Sequence, residues 1–304
     1  IYVAYEDGTN DDLKLAKSTD AGSTWEIQTV DAASGSGFIG RHTAVAMEGD
    51  TVYVAYQDWN LGDIWFVKST DGGATWPTKY MIDKATGDDA GEYPELHVAG
   101  NELYLVYNDY TTPYYIYNDQ GAPDAASWAT PYLMSATADG TDLSFNGQEM
   151  AHAESQYARY SNDGGTTWTR TNLRYSDGTL SNRSVSIHRD GTNLFVCGYY
   201  YDNPSNRIRF YYSTDLGDTW AYVEVFSDVT TAENHKPEMV ADGNNNFYIS
   251  YYDTEYTTLG FSKIYFDDVG ETASEVQSSS TIDQSGNDVG QWSDIAVSGD
   301  RVYI

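Results

Sequence analysis

The stretch Ser69-Thr70-Asp71-Gly72-Gly73-Ala74-Thr75-Trp76 recurs along the chain in four closely similar copies. The other copies begin at Ser18, Ser161 and Ser213, and the first two lie about 50 residues apart, a spacing typical of repeat proteins. Each copy follows an apolar-polar run such as Ile64-Trp65-Phe66-Val67-Lys68 and precedes another. It therefore predicts a tight turn between two strands, which we call the Ser-x-Asp turn. Asp can bind nearby backbone groups there, and Gly adopts backbone angles that other residues avoid.

The shared pattern Ser-x-Asp-x-Gly-x-Thr-Trp resembles the Asp-box, or BNR repeat, of sialidases and related β-propellers. In that family the motif lies away from the active site, so the resemblance implies a fold and a structural role. We expect each Trp ring to pack between neighbouring repeats. The residues predicted to be structural are Asp20, Trp25, Asp71, Trp76, Asp163, Trp168, Asp215 and Trp220.

Two further segments recur ahead of each turn and complete a unit of four strands. Thr51–Asp58 is the clearest copy of one and Thr43–Met47 of the other, and their alternation and β-branched content predict strands. Four-stranded antiparallel units arranged radially form a β-propeller. We therefore predict one all-β domain over residues 1–304, with six blades favoured and seven as the alternative. The predicted blades are 293–304 together with 1–31, then 42–83, 93–134, 140–175, 183–227 and 236–283.

The two ends of the chain resemble the same piece of strand. Ile1-Tyr2-Val3 and Val302-Tyr303-Ile304 would compete for one position in a closed ring of six blades. This overlap keeps open a seventh blade, or a sequence that is part of a longer chain.

Composition limits the partners and the location. The formal net charge is −30, whereas nucleic acids and anionic membrane surfaces are bound by basic patches, so neither is an expected partner. We expect no direct membrane insertion, because no apolar run reaches membrane-spanning length. The acidity favours an extracellular or cell-surface protein, where salt screens the charge. Cys197 is predicted to be a buried, unreactive thiol, and Asn182-Arg183-Ser184 fits the pattern for N-glycosylation.

Topology separates two faces of the predicted propeller. The Ser-x-Asp turns lie on one face, and the starts of the first strands and ends of the second strands lie on the other. The first strand is innermost, so the residues at its start should line the central channel. They differ between otherwise similar repeats, as a single asymmetric site requires. Cationic and aromatic side chains around one channel mouth are typical of carbohydrate-binding sites. The alternative is that these residues belong to ordinary solvated loops with no ligand. The candidate ligand-binding residues are Arg41, His42, Tyr93, Arg183, His235, Lys236 and Trp292.

The second predicted strand ends five times in Tyr-x-Asp. Carboxylates gathered on one face could bind Ca²⁺, although each Asp could equally cap its own turn. The candidate metal ligands are Asp7, Asp58, Asp109, Asp202 and Asp253.

The resemblance to sialidases implies three arginines, a Tyr–Glu nucleophile and an acid/base Asp, and this set does not transfer to the chain. The Arg-Ile-Pro signature is missing, since Arg207-Ile208-Arg209 lacks the proline. We therefore expect a non-catalytic binding, adhesion or surface-assembly module with no required cofactor. Its partner would be a carbohydrate or another surface protein. The alternative is a glycoside hydrolase of sialidase-like fold.

Overall fold

The computed structural model describes residues 1–20, 22–33, 37–77, 79–84, 90–99, 102–109, 112–118, 132–133, 142–146, 148–154, 157–173, 179–202, 205–228, 237–253, 258–283, 295–298 and 301–304. Every regular element in these segments is a β-strand. The chain forms two compact units, Ile1–Thr137 and Ala138–Ile304, which we call unit 1 and unit 2.

Unit 1 contains three antiparallel sheets, each formed by strands consecutive in the chain. Sheet 1 has three strands, β1 (Tyr2–Asp7), β2 (Asp12–Lys17) and β3 (Glu26–Asp31). Sheet 2 has four strands, β4 (Ile39–Glu48), β5 (Thr51–Asp58), β6 (Asp63–Ser69) and β7 (Lys79–Lys84). Sheet 3 has four strands, β8 (Ala90–Ala99), β9 (Glu102–Asp109), β10 (Thr112–Asn118) and β11 (Tyr132–Leu133).

Unit 2 continues the same pattern with three four-stranded sheets and a final pair. Sheet 4 consists of β12 (Asp142–Asn146), β13 (Glu149–Glu154), β14 (Tyr157–Ser161) and β15 (Thr169–Asn172). Sheet 5 consists of β16 (Thr179–Asp190), β17 (Asn193–Asp202), β18 (Ser205–Ser213) and β19 (Ala221–Asp228). Sheet 6 consists of β20 (Glu238–Ala241), β21 (Asn246–Asp253), β22 (Thr258–Asp267) and β23 (Thr272–Asp283). The pair is β24 (Ala296–Ser298) and β25 (Arg301–Tyr303). The predicted all-β architecture of antiparallel, four-stranded sheets is confirmed.

The core of unit 1 lies between successive sheets. Alternate residues of β5 face opposite sides, because side chains alternate across a strand. Val54 and Tyr56 pack against Leu15 of sheet 1, whereas Tyr53 and Ala55 belong to a second cluster shared with sheet 3. Sheet 2 is therefore buried on both faces, which explains its long apolar runs.

Unit 2 has the same layered cores. One cluster joins sheets 4 and 5 through residues such as Ala153 and Val196. A second, rich in phenylalanine, joins sheets 5 and 6, where the rings of Phe195 and Phe247 lie 4.4 Å apart. Cys197 is fully buried in this second cluster, and burial raises the pKa of its thiol.

The Ser-x-Asp turns repeat one hydrogen-bond pattern in all four copies. In the copy of sheet 2, Ser69 Oγ donates to Asp71 Oδ1 at 2.7 Å and accepts from Gly73 N at 2.9 Å. Thr75 donates its backbone N–H to Asp71 Oδ1 at 2.9 Å and its hydroxyl to Asp71 Oδ2 at 2.6 Å. The copies that begin at Ser18, Ser161 and Ser213 have the same four bonds. The motif is thus a closed local network.

The tryptophans that end the turns differ in burial. Trp76 packs against the cluster between sheets 1 and 2, and Trp220 against the cluster between sheets 4 and 5. Each of these rings therefore covers the core that its sheet shares with the preceding sheet. Trp168 is half-buried, whereas Trp25, in the first sheet of unit 1, is 43% exposed.

Candidate ligand site at the starts of β4 and β8

Two neighbouring strands of unit 1 begin with the same irregular backbone. In β4, Gly40 and His42 have φ values of 88° and 50°, and in β8 Gly91 and Tyr93 have 89° and 49°. The register of both strands shifts at these positions, so each strand starts with β-bulges. Positive φ at His42 and Tyr93 is unfavourable for residues with a Cβ, by about 1–2 kcal/mol each.

The two glycines allow a close approach between sheets. A Cβ on Gly40 would lie 2.9 Å from the Leu13 Cα of β2, and one on Gly91 would lie 2.8 Å from the Ile64 Cβ of β6. Both contacts are shorter than packed atoms tolerate. The packing between sheets therefore requires glycine at positions 40 and 91. The bulge after each glycine directs His42 or Tyr93 away from the regular strand pattern.

The bulges bring His42 and Tyr93 together. Their ring centroids are 4.5 Å apart at an interplanar angle of 59°, and Tyr93 remains 43% exposed. Burial, and then the neighbouring Arg41 charge, lowers the pKa of His42 to about 4. The imidazole is consequently neutral near pH 7, with one nitrogen that donates a hydrogen bond and one that accepts.

Arg41 and Trp59 form a second stacked pair at the same strand start. The Arg41 guanidinium carbon lies 3.8 Å from the centroid of the Trp59 ring, within the range of a cation–π contact. Trp59 follows β5, and its backbone N–H donates to Phe38 O at 3.1 Å. Phe38 is itself 42% exposed. We call Arg41, His42, Trp59 and Tyr93 the strand-start cluster.

The strand-start cluster combines two kinds of binding group. Its Tyr and Trp rings offer flat apolar surface with polar edges. The guanidinium donates hydrogen bonds in a fixed planar fork, and the neutral imidazole both donates and accepts. Such a surface fits a ligand that carries apolar C–H faces and hydroxyl groups.

The predicted metal ligands that have described side chains serve their own turns. Asp7 accepts from Thr9 N at 3.1 Å and from Asn10 Nδ2 at 2.7 Å. The Asn10 and Thr9 bonds hold the pKa of Asp7 below its usual value. Asp58 Oδ1 accepts from Asn60 N at 3.0 Å. Across the described segments, no three acidic, His or Cys side chains form a group that could hold a metal ion.

The remaining candidates are only partly described. Arg183 belongs to β16, and its side chain lies outside the described residues, as do His235, Lys236 and Trp292. Asp109, Asp202 and Asp253 end β9, β17 and β21, and their side chains are likewise outside the description. Among the predicted ligand residues, the structure brings Arg41, His42 and Tyr93 to adjacent strand starts.

Trp59 was not among the residues predicted from sequence. It follows the Tyr-x-Asp ending of a strand, and no Trp occurs at the same position in the other repeats. The parallel spacing Gly40-Arg41-His42 and Gly91-Glu92-Tyr93 was a usable signal, because a repeated glycine two residues before a variable residue indicates a repeated bulge.

Comparison with known proteins relates the chain by fold. No protein-family model matches it, and no curated protein sequence is similar to it. A functionally unknown protein from Desulfotomaculum acetoxidans matches with a TM-score of 0.53 and 11% identity, over 90% of this chain and 78% of that one. The GH93 α-L-arabinofuranosidase of Fusarium graminearum, solved with arabinobiose, matches with a TM-score of 0.52 and 15% identity, over 81% of each chain.

The arabinofuranosidase is a β-propeller, so the all-β sheets described above are similar to those of a β-propeller. The chain spans 36% of the length of a bifunctional GH43-CE protein of Bacteroides eggerthii, which matches 81% of this chain with a TM-score of 0.40 and 10% identity. No helix in the described part of the chain has the length and hydropathy that crossing a bilayer would require.

Proposed function

We propose that the protein is an extracellular or cell-surface β-propeller that binds carbohydrate through the strand-start cluster of unit 1. In this proposal the Ser-x-Asp turns are Asp-boxes with a structural role. The protein acts as a non-catalytic binding, adhesion or surface-assembly module. Arg183, His235, Lys236 and Trp292, which belong to unit 2, are proposed as ligand-binding residues on the evidence of the sequence alone.

The observation that carries the proposal is the pairing of aromatic rings with polar partners at neighbouring strand starts. Tyr93 keeps 43% of its surface exposed although it contacts His42 at 4.5 Å. The Trp59 ring is held by the Arg41 guanidinium at 3.8 Å. Binding sites for small molecules are lined by such rings with a few fixed polar groups. Two strained backbone positions maintain the arrangement, and strain of this kind clusters at functional sites.

A glycoside hydrolase is the second candidate, favoured by the likeness to the GH93 arabinofuranosidase. Hydrolysis of a glycosidic bond usually needs one carboxyl group with a raised pKa and a second, ionised one. Among the described aspartates with a resolved shift, the pKa is lowered in each. None of these six aspartates is therefore suited to the role of the general acid.

No cofactor is required by this function. Separately, we propose that Ca²⁺ binds at the Tyr-x-Asp strand ends. This proposal concerns Asp109, Asp202 and Asp253 more than Asp7 and Asp58, whose oxygens accept hydrogen bonds from their own turns.

A glycan array tests the proposal with the purified chain and three variants. Tyr93→Ala and Trp59→Ala each remove one ring of the strand-start cluster, and both should lose at least tenfold in signal for the same saccharides. Trp25→Ala is the matched control, because it removes an exposed ring from a Ser-x-Asp turn, and it should bind as the parent does. Retention of binding by both cluster variants would move the site elsewhere.

A hydrolysis assay separates the two candidate functions. The array ligands are incubated with the protein and the products are measured by mass spectrometry. Binding without cleavage is the expected result. Cleavage that disappears in Tyr93→Ala would replace the binding module with a glycoside hydrolase that uses the same site.

A further inference from the structure

Two large apolar side chains are exposed in the segments around Trp59. Phe38, which precedes β4, is 42% exposed, and Leu61, in the connection between β5 and β6, is 60% exposed. Single exposed apolar residues are common on protein surfaces. These two adjoin an aromatic residue of the strand-start cluster, and we call Phe38 and Leu61 the apolar flank.

The backbone places Phe38 directly beside Trp59. Trp59 N donates to Phe38 O at 3.1 Å, so the two residues lie next to each other on neighbouring segments. Gly37 continues this contact, because a Cβ at that position would collide with the Asn60 side chain. The segment that carries Phe38 and the turn that carries Trp59 are therefore packed together, and Phe38 is exposed within an ordered contact.

The turn that carries Leu61 is closed by hydrogen bonds to Asp58. Asp58 Oδ1 accepts from Asn60 N at 3.0 Å and from Leu61 N at 3.3 Å, and Gly62 N donates to Asp58 O at 2.9 Å. These bonds involve the backbone of Leu61 and leave its side chain in solvent. Closure of the turn therefore does not explain a large apolar residue at this position.

The size of the apolar flank favours a small ligand over a protein partner. A stable protein interface involves about 20–30 residues on each side, whereas the apolar flank adds two side chains to the four of the strand-start cluster. Two such side chains can cover a methyl group, and a buried methyl group raises affinity about fourfold. A sugar hydroxyl in the same place would lose hydration without gaining a hydrogen-bond partner.

We propose, building on the proposed function, that the saccharide carries a methyl group and that the apolar flank contacts it. The methyl group belongs to an O-acetyl ester or to a 6-deoxy sugar. Arg41 and His42 form hydrogen bonds with the hydroxyl groups, and Phe38 and Leu61 exclude water from the methyl group. The apolar flank thus determines specificity, whereas the strand-start cluster supplies the affinity common to all bound saccharides.

Calorimetric titration with matched saccharides tests the contact. Two pairs differ only in the methyl group of a 6-deoxy sugar, L-rhamnose against L-lyxose and L-fucose against D-arabinose. The third kind of pair is an O-acetylated saccharide from the glycan array and its product after mild alkaline hydrolysis. The parent protein should bind the methyl-bearing member of one kind of pair about fourfold more tightly. The kind of pair that shows this preference identifies the source of the methyl group.

Variants of the apolar flank should lose the preference and keep the binding. Phe38→Ser and Leu61→Ser should each reduce the preference to about twofold or less, because each removes part of the apolar contact. The double variant should abolish it, with the affinity for the methyl-free saccharide within about twofold of the parent's. Met47→Ser is the matched control, since Met47 is 47% exposed near the other end of β4, and it should keep the full preference.

The contrary outcomes separate this inference from the proposed function. Saccharide binding with equal affinity for both members of every pair would overturn the methyl contact and leave carbohydrate binding intact. The absence of any saccharide binding would overturn both. A preference that persists in the double variant, or an equal loss of both members of a pair, would exclude the apolar flank as the contact. Self-association of the parent protein in analytical ultracentrifugation that disappears in Leu61→Ser would show that a second copy covers the apolar flank, and would also overturn the inference.

Discussion

The serine hydroxyl that begins each turn performs two tasks at once. Ser69 is fully buried, and its hydroxyl oxygen accepts a hydrogen bond from Gly73 N while its O–H donates one to Asp71 Oδ1. Removing that hydroxyl would leave a buried N–H unpaired, a loss of about 1–3 kcal/mol. Asp71 in turn receives both hydrogen bonds from Thr75. The motif therefore recurs as a set, since each of its residues satisfies another.

The same hydrogen bonds keep the carboxylates of the Ser-x-Asp turns ionised. Hydrogen bonds, chiefly from the Thr24 side chain, lower the pKa of Asp20 to about 2. A bond from Ser69, followed by those from Thr75, also lowers the pKa of Asp71. These carboxylates consequently stay ionised throughout the physiological range.

His42 gives a pH prediction at the scale of one residue. Its pKa is about 4 in the folded protein, against about 6.5 in an unfolded chain. The unfolded state therefore binds the proton at higher pH than the folded state does. The stability that His42 contributes is complete above about pH 6.5 and is lost as pH falls towards 4. Between pH 7.5 and 5.0, the parent protein should lose more free energy of unfolding than His42→Gln in denaturant titrations. Equal losses would mean that His42 titrates normally.

At the scale of elements, the packing between two sheets depends on the side chains that fill the space between them. Trp76 covers the cluster between sheets 1 and 2, whereas Trp25 is 43% exposed. Trp76 is partly buried, so Trp76→Ala should cost about 3 kcal/mol, the lower end of the range for a buried aromatic side chain. Trp25→Ala, the matched control, should cost no more than about 1–2 kcal/mol because less apolar surface is lost. Chemical denaturation of both variants measures the difference, and similar losses would refute the packing role of Trp76.

The glycine at the start of β4 tests the close approach of sheets 1 and 2. Gly40→Ala adds a Cβ 2.9 Å from the Leu13 backbone at a φ of 88°, so strain and overlap add. Gly49→Ala meets nothing within 4 Å at a φ of 58°, so only the backbone strain of about 1–2 kcal/mol applies. We expect Gly40→Ala to exceed that cost by about 1–3 kcal/mol, the usual penalty for overpacking. Thermal unfolding of the two variants compares them, and equal costs would show that the sheets can separate locally.

The elements could be predicted from sequence where the physics is local. The Ser-x-Asp turn is fixed by hydrogen bonds within eight residues, and the strands are indicated by alternating apolar and polar residues. Both could therefore be predicted from the sequence. The strand-start cluster could be predicted from the sequence only in part. Arg41, His42 and Tyr93 were identified by their variation between repeats. The contact of Trp59 with Arg41 depends on how a bulge rotates two backbones, and a sequence pattern does not encode that rotation.

The whole molecule carries a formal net charge of −30. Self-repulsion of this size destabilises the compact state, and salt screens it over about 10 Å at 0.1 M. The melting temperature should therefore rise when NaCl is increased from 20 to 500 mM. CaCl₂ at equal ionic strength should raise it further only if the Tyr-x-Asp carboxylates bind Ca²⁺. A melting temperature that falls or stays constant with NaCl would show that the charge is already balanced locally.

The central claim is that the strand-start cluster binds carbohydrate, and the His42 imidazole reports on it directly. NMR of the histidine-labelled protein, during titration with the strongest saccharide from the glycan array, follows each ring separately. The account predicts a saturable shift of the His42 signals, because His42 contacts Tyr93 at the site. The signals of His152, which is fully buried in unit 2, should not move. Saturable binding of the saccharide that leaves His42 unshifted would contradict the account.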